Sequence, residues 1–512
     1  MTTSSPADDA AARSHVQLRT GAYADSVTLL QVSKDVAATD GVEAAQVAMA
    51  TPLNLDTLVA MGFTLPETGP NDMVVALRLA PDGDLDAAVA AVDAALLAAT
   101  RRGASGEAQA APARTVTSAL RRADAGLVLI SVPGEHAYVE AMDAVDAGRD
   151  VMIFSDNVPV EQEIALKRAA AASGLLVMGP DCGTAMVGGV GLGFANTVSP
   201  GPVGIVAASG TGCQQLMTLF DLAGVGVSAA LGVGGRDLSA AIGGLSTRRA
   251  MDLLDADPAT ELIVVVSKPP AREVADQIHA HAATLSTPVH FALLGAGEPD
   301  LTHAAEEVVR ALGHAPPGWP RWGDGVGDVP AGDGYLRGLF VGGTLCDEAM
   351  LVAGETLGPI RSNIPLSPDL ALDRGLTART HLMIDFGDDS LTAGRAHPMI
   401  DPTLRLAHLE TVAADPDTAV VLMDVVLGHG AETDPAASLA PAIAAAIETA
   451  RSGGRSLPVV VTCVGTAADP QGLDRQVRAL ADAGAVVHAS NAAATRHAVS
   501  LLAAIPTTGD AR

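Results

Sequence analysis

Six turns directly follow apolar runs in this 512-residue chain, five of them containing glycine, and they carry most of its candidate chemistry. They read Ser209-Gly210-Thr211-Gly212, Gly232-Val233-Gly234-Gly235-Arg236-Asp237, Ser267-Lys268-Pro269-Pro270, Gly342-Gly343-Thr344, Gly387-Asp388-Asp389 and Gly428-His429-Gly430. A glycine-rich turn opening a helix leaves backbone N–H groups free at a partially positive end, which suits phosphate or carboxylate. Gly at such a turn also has a purely steric reading, so the signal lies in the repetition. Lys268 ends the run LIVVVS, and the two prolines after it keep that loop out of helix. The chain has only three lysines, Lys34, Lys167 and Lys268. Lys268 reads either as a side chain reaching solvent from a strand end or as a cation aimed at an anionic substrate.

Other polar residues carry weaker signals. His429 between two glycines could ligate, accept a proton or face water. His303 in DLTHAAEE reads as an exposed helical residue. His397 in GRAHPMIDP, flanked by Arg395 and Asp401, suits an interface or an anion site. Asp424 interrupts an apolar strand and must cap a neighbouring loop or meet a cation if it is buried. No G-x-S-x-G, H-E-x-x-H or P-loop motif occurs.

The elements that must position these residues are legible in the composition. The chain is 48% hydrophobic but only 2% aromatic, which suits parallel sheets of Val, Ile and Leu wrapped by Ala-rich helices. Its net charge of −28 disfavours nucleic acid and anionic lipid. No apolar run is long enough for a membrane span, no secretory leader is visible, and a cytoplasmic location is the expectation. Cys182, Cys213, Cys346 and Cys463 are scattered without metal-ligand or disulfide spacing and read as packed free thiols, with no metal site expected.

Along the chain, residues 1–112 read as a small α/β domain with a polar linker. Residues 113–201 alternate short apolar runs with helices, as do 202–314 and 335–512, and a Pro/Gly-rich ordered linker with both tryptophans fills 315–334. The expected fold is multidomain α/β: a small ferredoxin-like domain, a parallel-sheet Rossmann-like domain, and two flavodoxin-like domains of CoA-ligase type.

Residues 127–270 resemble the α subunit of succinyl-CoA synthetase through VPGEHAYVEAMDAVDAG, MGPDCGTA in place of an IGPN-type turn, VGIVAASGT, GVGGRD and ATELIVVVSKPP. Residues 335–490 resemble the carboxyl-terminal domain of the partner β subunit through DFGDDSLTAGRAHPMIDPTLR and VVLMDVVLGHGAETDP. The whole chain, from GAYADSVTLLQVSKDVAATDGVEAAQVAM onward, is similar to the FdrA family, where both pieces are fused behind a small α/β domain. That resemblance implies a subunit of an oxamate carbamoyltransferase in ureide and purine nitrogen breakdown, assembled with further subunits and acting on carbamoyl phosphate or phosphate. In this reading Ser209, Gly210, Thr211, Gly234, Gly235, Arg236 and Lys268 hold the phosphate. Gly342, Gly343, Thr344, Gly428, His429 and Gly430 complete the site. An NDP-forming acyl-CoA synthetase subunit, with CoA as ligand and His303 as phosphate carrier, is one alternative; a scaffold or metabolite sensor is another. Three departures from the synthetase pattern weigh on the choice. No glycine-rich CoA loop opens a strand ahead of Leu127, the GHAG histidine motif is replaced by LLGAGEPDLTHAAEE, and a lysine, Lys268, stands where the synthetase has a carboxylate.

Overall fold

The computed structural model describes residues 13–102, 113–323, 334–392 and 396–502, apart from positions 21, 23, 25, 67, 70, 71 and 82. The chain separates into two compact units, Met1–Pro112 and Ala113–Arg512.

The first unit is a three-stranded antiparallel sheet with Asp72–Leu79 between Arg13–Thr20 and Val42–Met49. The central strand reads DMVVALRL because both of its faces are covered. Met73, Val75 and Leu77 meet Leu29, Val32 and Val36 of the helix Ser26–Ala37 and Ala88 and Val92 of Leu85–Arg102. Val74 and Ala76 point the other way, toward Leu58 and Phe63. A two-residue side-chain period with both faces buried yields this continuous apolar run.

Among its described residues the second unit contains three sheets. Leu127–Ile130, Asp150–Ile153 and Val177–Met178 form a short parallel sheet. The next has six strands, in the order Val289–Leu293, Leu262–Ser267, Pro200–Ala208, Val227–Gly232, Thr184–Val187 and Val190–Gly193. Its first four strands are parallel, and the last two are a hairpin that joins antiparallel. Residues 184–193 thus belong by pairing to the sheet of the following segment. The third sheet runs Arg321–Trp322, Val486–His488, Val459–Val464, Thr418–Val426, Tyr335–Phe340, Leu382–Asp385 and Arg361–Ser362, parallel except for the first. Trp322 packs on the core of this sheet and Trp319 on the core of the preceding one, where its indole N–H donates to Glu306.

Two helices bind the second and third sheets into one body. Gly210–Leu222 buries every residue from Gly212 to Phe220, and Gly343–Leu357 buries most of its first two turns and more. An α-helix buried on all sides must satisfy its polar side chains, and the contact between the two layers does so. The Gln215 amide donates to the Ala489 carbonyl while its oxygen accepts from the Asn491 amide N–H. Asn491 donates to Glu348, which also accepts the Leu301 N–H. Among the described residues no helix is long and apolar enough to cross a membrane.

Candidate active site

Because the strands in each parallel region run the same way, the loops at their carboxyl ends gather on one side. Strand Pro200–Ala208 delivers Ser209 to the start of the helix Gly210–Leu222, and strand Tyr335–Phe340 delivers Gly342 to the start of Gly343–Leu357. These two helix starts face each other. The Ser209 hydroxyl accepts the Gly212 N–H at 2.9 Å and lies 2.6 Å from Thr344 Oγ1. Glycine is required for so close an approach: a Cβ on Gly342 would sit 2.9 Å from the Thr211 side chain, and one on Gly212 would sit 2.5 Å from Ser209 Oγ.

The second helix start is fixed from behind. Asp424, fully buried on strand Thr418–Val426, accepts the N–H groups of Val341 and Gly342 at 2.8 and 2.9 Å and pairs with Arg405 at 3.0 Å. It therefore both caps a loop and meets a cation. Burial raises its carboxyl to about 6, with Arg405 and the two amides pulling the other way. The amides of Gly210, Thr211, Gly343 and Thr344 meet no acceptor among the described residues, as expected for first-turn groups. Two helix dipoles, each worth roughly half a positive charge at its amino end, thus converge on one region.

Lys268 stands beside this pair. Its Nζ is 3.7 Å from Asp347 Oδ2 on the second helix, and its side chain is 40% exposed. A Cβ on Gly343 would lie 2.9 Å from Lys268 Nζ and 2.7 Å from Asp385 Oδ2, so the lysine, the helix start and Asp385 surround one point. Desolvation pulls the lysine pKa down, but Asp347, Asp385 and Asp181 outweigh it and the net direction is up. Lys268 remains an ammonium shared among carboxylates. Neither sequence reading of this residue included those partners.

The carboxylates respond in kind. Burial raises Asp385 to about 7 and Asp347 to about 6, against the lowering effect of Lys268. Asp385 is further held by the Gly387 N–H, which donates to Oδ1 at 2.9 Å, and by Asn363, whose side chain brackets its backbone at 2.8 and 2.9 Å. Asp181 is raised to about 7 by desolvation, then by Asp389 and Asp156, with Lys268 and Arg236 opposing. The residue is exposed, so repulsion from Asp389 and Asp156 is the part of this rise that its surroundings support, and its backbone is left-handed at φ 57°, a region that aspartate enters more readily than most residues other than glycine. Groups that titrate near neutrality can take up and release protons in a reaction at pH 7.

The remaining residues of the anion-site reading have other contacts. Arg236 turns onto Glu163 at 2.9 Å and onto the Val158 carbonyl at 2.8 Å. Glu163 also accepts from the fully buried Lys167, which reaches Asp237 at 2.7 Å and the Val233 carbonyl at 2.9 Å. Gly234, at φ 91°, backs onto Pro180, and Gly235 faces Asp181. This loop is therefore tied to the helix Val160–Ala172, and it reaches the site through Asp181. Gly428-His429-Gly430 seats on residues 193–197. His429 exchanges backbone hydrogen bonds with Ala195, and its Nε2 is 3.2 Å from Thr197 Oγ1. Those contacts join the second and third sheets. His303 is 54% exposed and 3.4 Å from Glu307.

Sequence reasoning missed Asp347, Asp385 and Asp181 as site residues. Asp385 ends the apolar run LMID just before a Phe-Gly step, and Asp347 interrupts the apolar helix opening TLCDEAM; those breaks in pattern were the available signal. His397 is mostly enclosed, and burial lowers its pKa to about 4, so it is neutral at pH 7. Arg395, its proposed neighbour in an anion site, lies outside the described residues. The four cysteines are buried free thiols, and burial raises each of their pKa values, so none is an activated nucleophile. No cluster of His, Cys, Asp and Glu among the described residues has metal-binding geometry.

Comparison with known proteins gives matches at the level of domains. A CoA-ligase family model matches residues 339–501, the region holding Gly342, Asp347, Asp385 and Asp424. A second model, described as AllF, heavy metal-associated domain, matches residues 12–113. That stretch contains no cysteine and a single histidine, His15, so it does not fit a thiolate site for a soft metal. The ADP-forming succinate–CoA ligase subunit alpha 2 of Archaeoglobus fulgidus is 31% identical over 30% of this chain, which spans about half (54%) of that relative. A solved structure of dinucleotide-forming acetyl-coenzyme A synthetase 1 from Ca. Korarchaeum cryptofilum, with phosphate and ADP, is 16% identical. The match covers 73% of this chain and 82% of that one, and its TM-score of 0.28 is too low to carry an argument. The Escherichia coli K12 protein called uncharacterized protein YahF is 38% identical over 93% of this chain and 96% of its own length. With a match of that extent, and with the CoA-ligase and AllF-type domains in place, the chain belongs to the FdrA-like family together with YahF.

Proposed function

We propose that this chain is the acyl-transferring subunit of a CoA-ligase-type enzyme and that its substrate is an acyl phosphate. The observation that carries the reading is the pair of opposed helix starts, with the amides of Gly210, Thr211, Gly343 and Thr344 free beside the Lys268 ammonium. Oriented amides and a cation suit the phosphate of such a substrate, and they stabilise it further as the leaving group gains charge. In the transfer a nucleophile forms a bond to the acyl carbon. The C–O bond to phosphate breaks, and phosphate leaves with the electron pair. The proton of the nucleophile passes to a carboxylate poised near neutrality, Asp385 or Asp181. In the ligase reading the nucleophile is the CoA thiol, and nucleotide chemistry belongs to a partner subunit.

A second reading is transfer of a carbamoyl group, since carbamoyl phosphate is itself an acyl phosphate. It asks nothing of His303, which is exposed beside Glu307. Transfer to or from phosphate needs no relay. Calorimetric titration of the full chain with acetyl phosphate, carbamoyl phosphate and CoA separates the two. Saturable binding of acetyl phosphate and CoA supports the ligase, and selective binding of carbamoyl phosphate without CoA supports the carbamoyltransferase. Binding of neither acyl phosphate by the chain, alone or with its co-purified partners, rejects both.

A further inference from the structure

Asp424 lies on strand Thr418–Val426, all nine of whose residues are buried. A carboxylate is costly there, and apolar residues of the same volume commonly stabilise a core as well as a buried ion pair does. Its contacts give it a different use. Oδ1 accepts the Val341 N–H at 2.8 Å and Oδ2 accepts the Gly342 N–H at 2.9 Å. These are the two amides between the end of strand Tyr335–Phe340 and the first helical residue, Gly343. One carboxylate thus fixes the whole turn, and the next two amides, of Gly343 and Thr344, are left without an acceptor among the described residues.

The same carboxylate puts a negative charge behind a helix start assigned to an anion. The opposite start has no such conflict, because its cap is the neutral hydroxyl of Ser209. Around the second start, Asp347, Asp385 and Asp424 stand against Lys268 and Arg405. Without Arg405, three carboxylates would face one ammonium. Arg405 is buried on the helix Thr403–Ala414, and both of its hydrogen bonds among the described residues go to Asp424. Nη1 donates to the Asp424 carbonyl at 2.7 Å and to Oδ1 at 3.0 Å. Glu432 also attracts this guanidinium, with less effect than Asp424.

We infer that Arg405 is a positioning residue for the phosphate site: by neutralising Asp424, it allows that carboxylate to hold the turn without repelling the anion. The inference rests on the phosphate reading of the helix starts given above. Arg405 touches no substrate in this account. It acts through Asp424, and its contribution is the charge it brings to a place where the turn needs an acid.

The test is calorimetric titration of the full chain with inorganic phosphate at pH 8, where Asp424 is ionised, for wild type, Arg405→Met and Arg405→Lys. An unpaired Asp424 also lowers stability, so each protein is compared well below its own unfolding transition. Arg405→Met leaves the carboxylate uncompensated and should weaken phosphate about tenfold, within the range for one charge at a helix end. Arg405→Lys keeps the charge on a shorter side chain and should bind within about threefold of wild type. A role in shape alone would not be repaired by lysine, whose ammonium lacks the planar fork of arginine. If the methionine variant does not fold, the lysine variant decides by itself. Binding by Arg405→Met within about twofold of wild type, or a loss of about tenfold in folded Arg405→Lys, would overturn the role of Arg405 and leave the phosphate site standing. Absence of phosphate binding by wild-type protein would overturn the site, and this inference with it.

Discussion

Replacing Asp385 by asparagine should stabilise the protein at pH 8 while removing its activity. The buried carboxyl of Asp385 has its pKa raised from 3.8 to about 7, so the folded state holds its proton more tightly than the unfolded chain does. Such a group stabilises the fold fully below about pH 4, and that contribution is lost as pH rises through about 7. Above pH 7 the wild-type protein carries a buried charge at a cost whose ceiling is about 4 kcal/mol, roughly three pH units at about 1.4 kcal/mol each. Asparagine is isosteric, still accepts the Gly387 N–H, and carries no charge at any pH. Lys268 loses one of its carboxylate partners in the variant, which offsets part of the gain and leaves roughly 1–3 kcal/mol at pH 8. Urea unfolding at pH 5 and pH 8 measures the difference, with the midpoint of the variant exceeding wild type more at pH 8 than at pH 5. A variant less stable than wild type at pH 8, or a difference independent of pH, would show that Asp385 is not a strained buried acid.

Other substitutions probe neighbouring parts of the site. Lys268→Met should lower phosphate-linked turnover at least about tenfold, about 1.4 kcal/mol, and unchanged kinetics would remove the ammonium from the mechanism. Lys167→Met leaves Glu163 and Asp237 buried without their shared cation; unfolding should show a loss of about 3–5 kcal/mol, and Glu163→Gln in the same chain should restore part of it. Ser209→Ala removes both a helix cap and the contact to Thr344, at about 1 kcal/mol in thermal or urea unfolding.

Much of the architecture was legible because apolar runs and turn residues obey local rules. The runs LVLI, VMI, LIVVVS and VVLMDVV are strands, and the glycines after Ala208 and Val341 do lead into helices. Pairing partners were less legible, since nothing local in residues 184–193 or in Arg321–Trp322 says which sheet they join. At the site, the turns at Ser209 and Gly342 and the cation Lys268 were readable one by one. Their convergence depends on docking between layers through Gln215, Glu348 and Asn491, more than 130 residues apart in the chain. The acids around Lys268 escaped notice for a physical reason. A carboxylate resembles any surface Asp in sequence, and only burial beside a cation raises its pKa into the working range. Arg236 and His429 are the converse: each follows a promising glycine, and each is engaged by neighbours, Glu163 in one case and Ala195 with Thr197 in the other.

The most direct test of the opposed helix starts as a phosphate site is titration of the full chain with inorganic phosphate, in parallel with Gly343→Ala. The added methyl would stand within 3 Å of both Asp385 Oδ2 and Lys268 Nζ, at the mouth of the second helix start. Wild-type protein should bind phosphate saturably, and the alanine variant, compared well below its own unfolding transition because the clash with buried Asp385 also lowers its stability, should lose most of that binding. Equal binding by the two proteins, or no binding by either, would place the phosphate chemistry elsewhere.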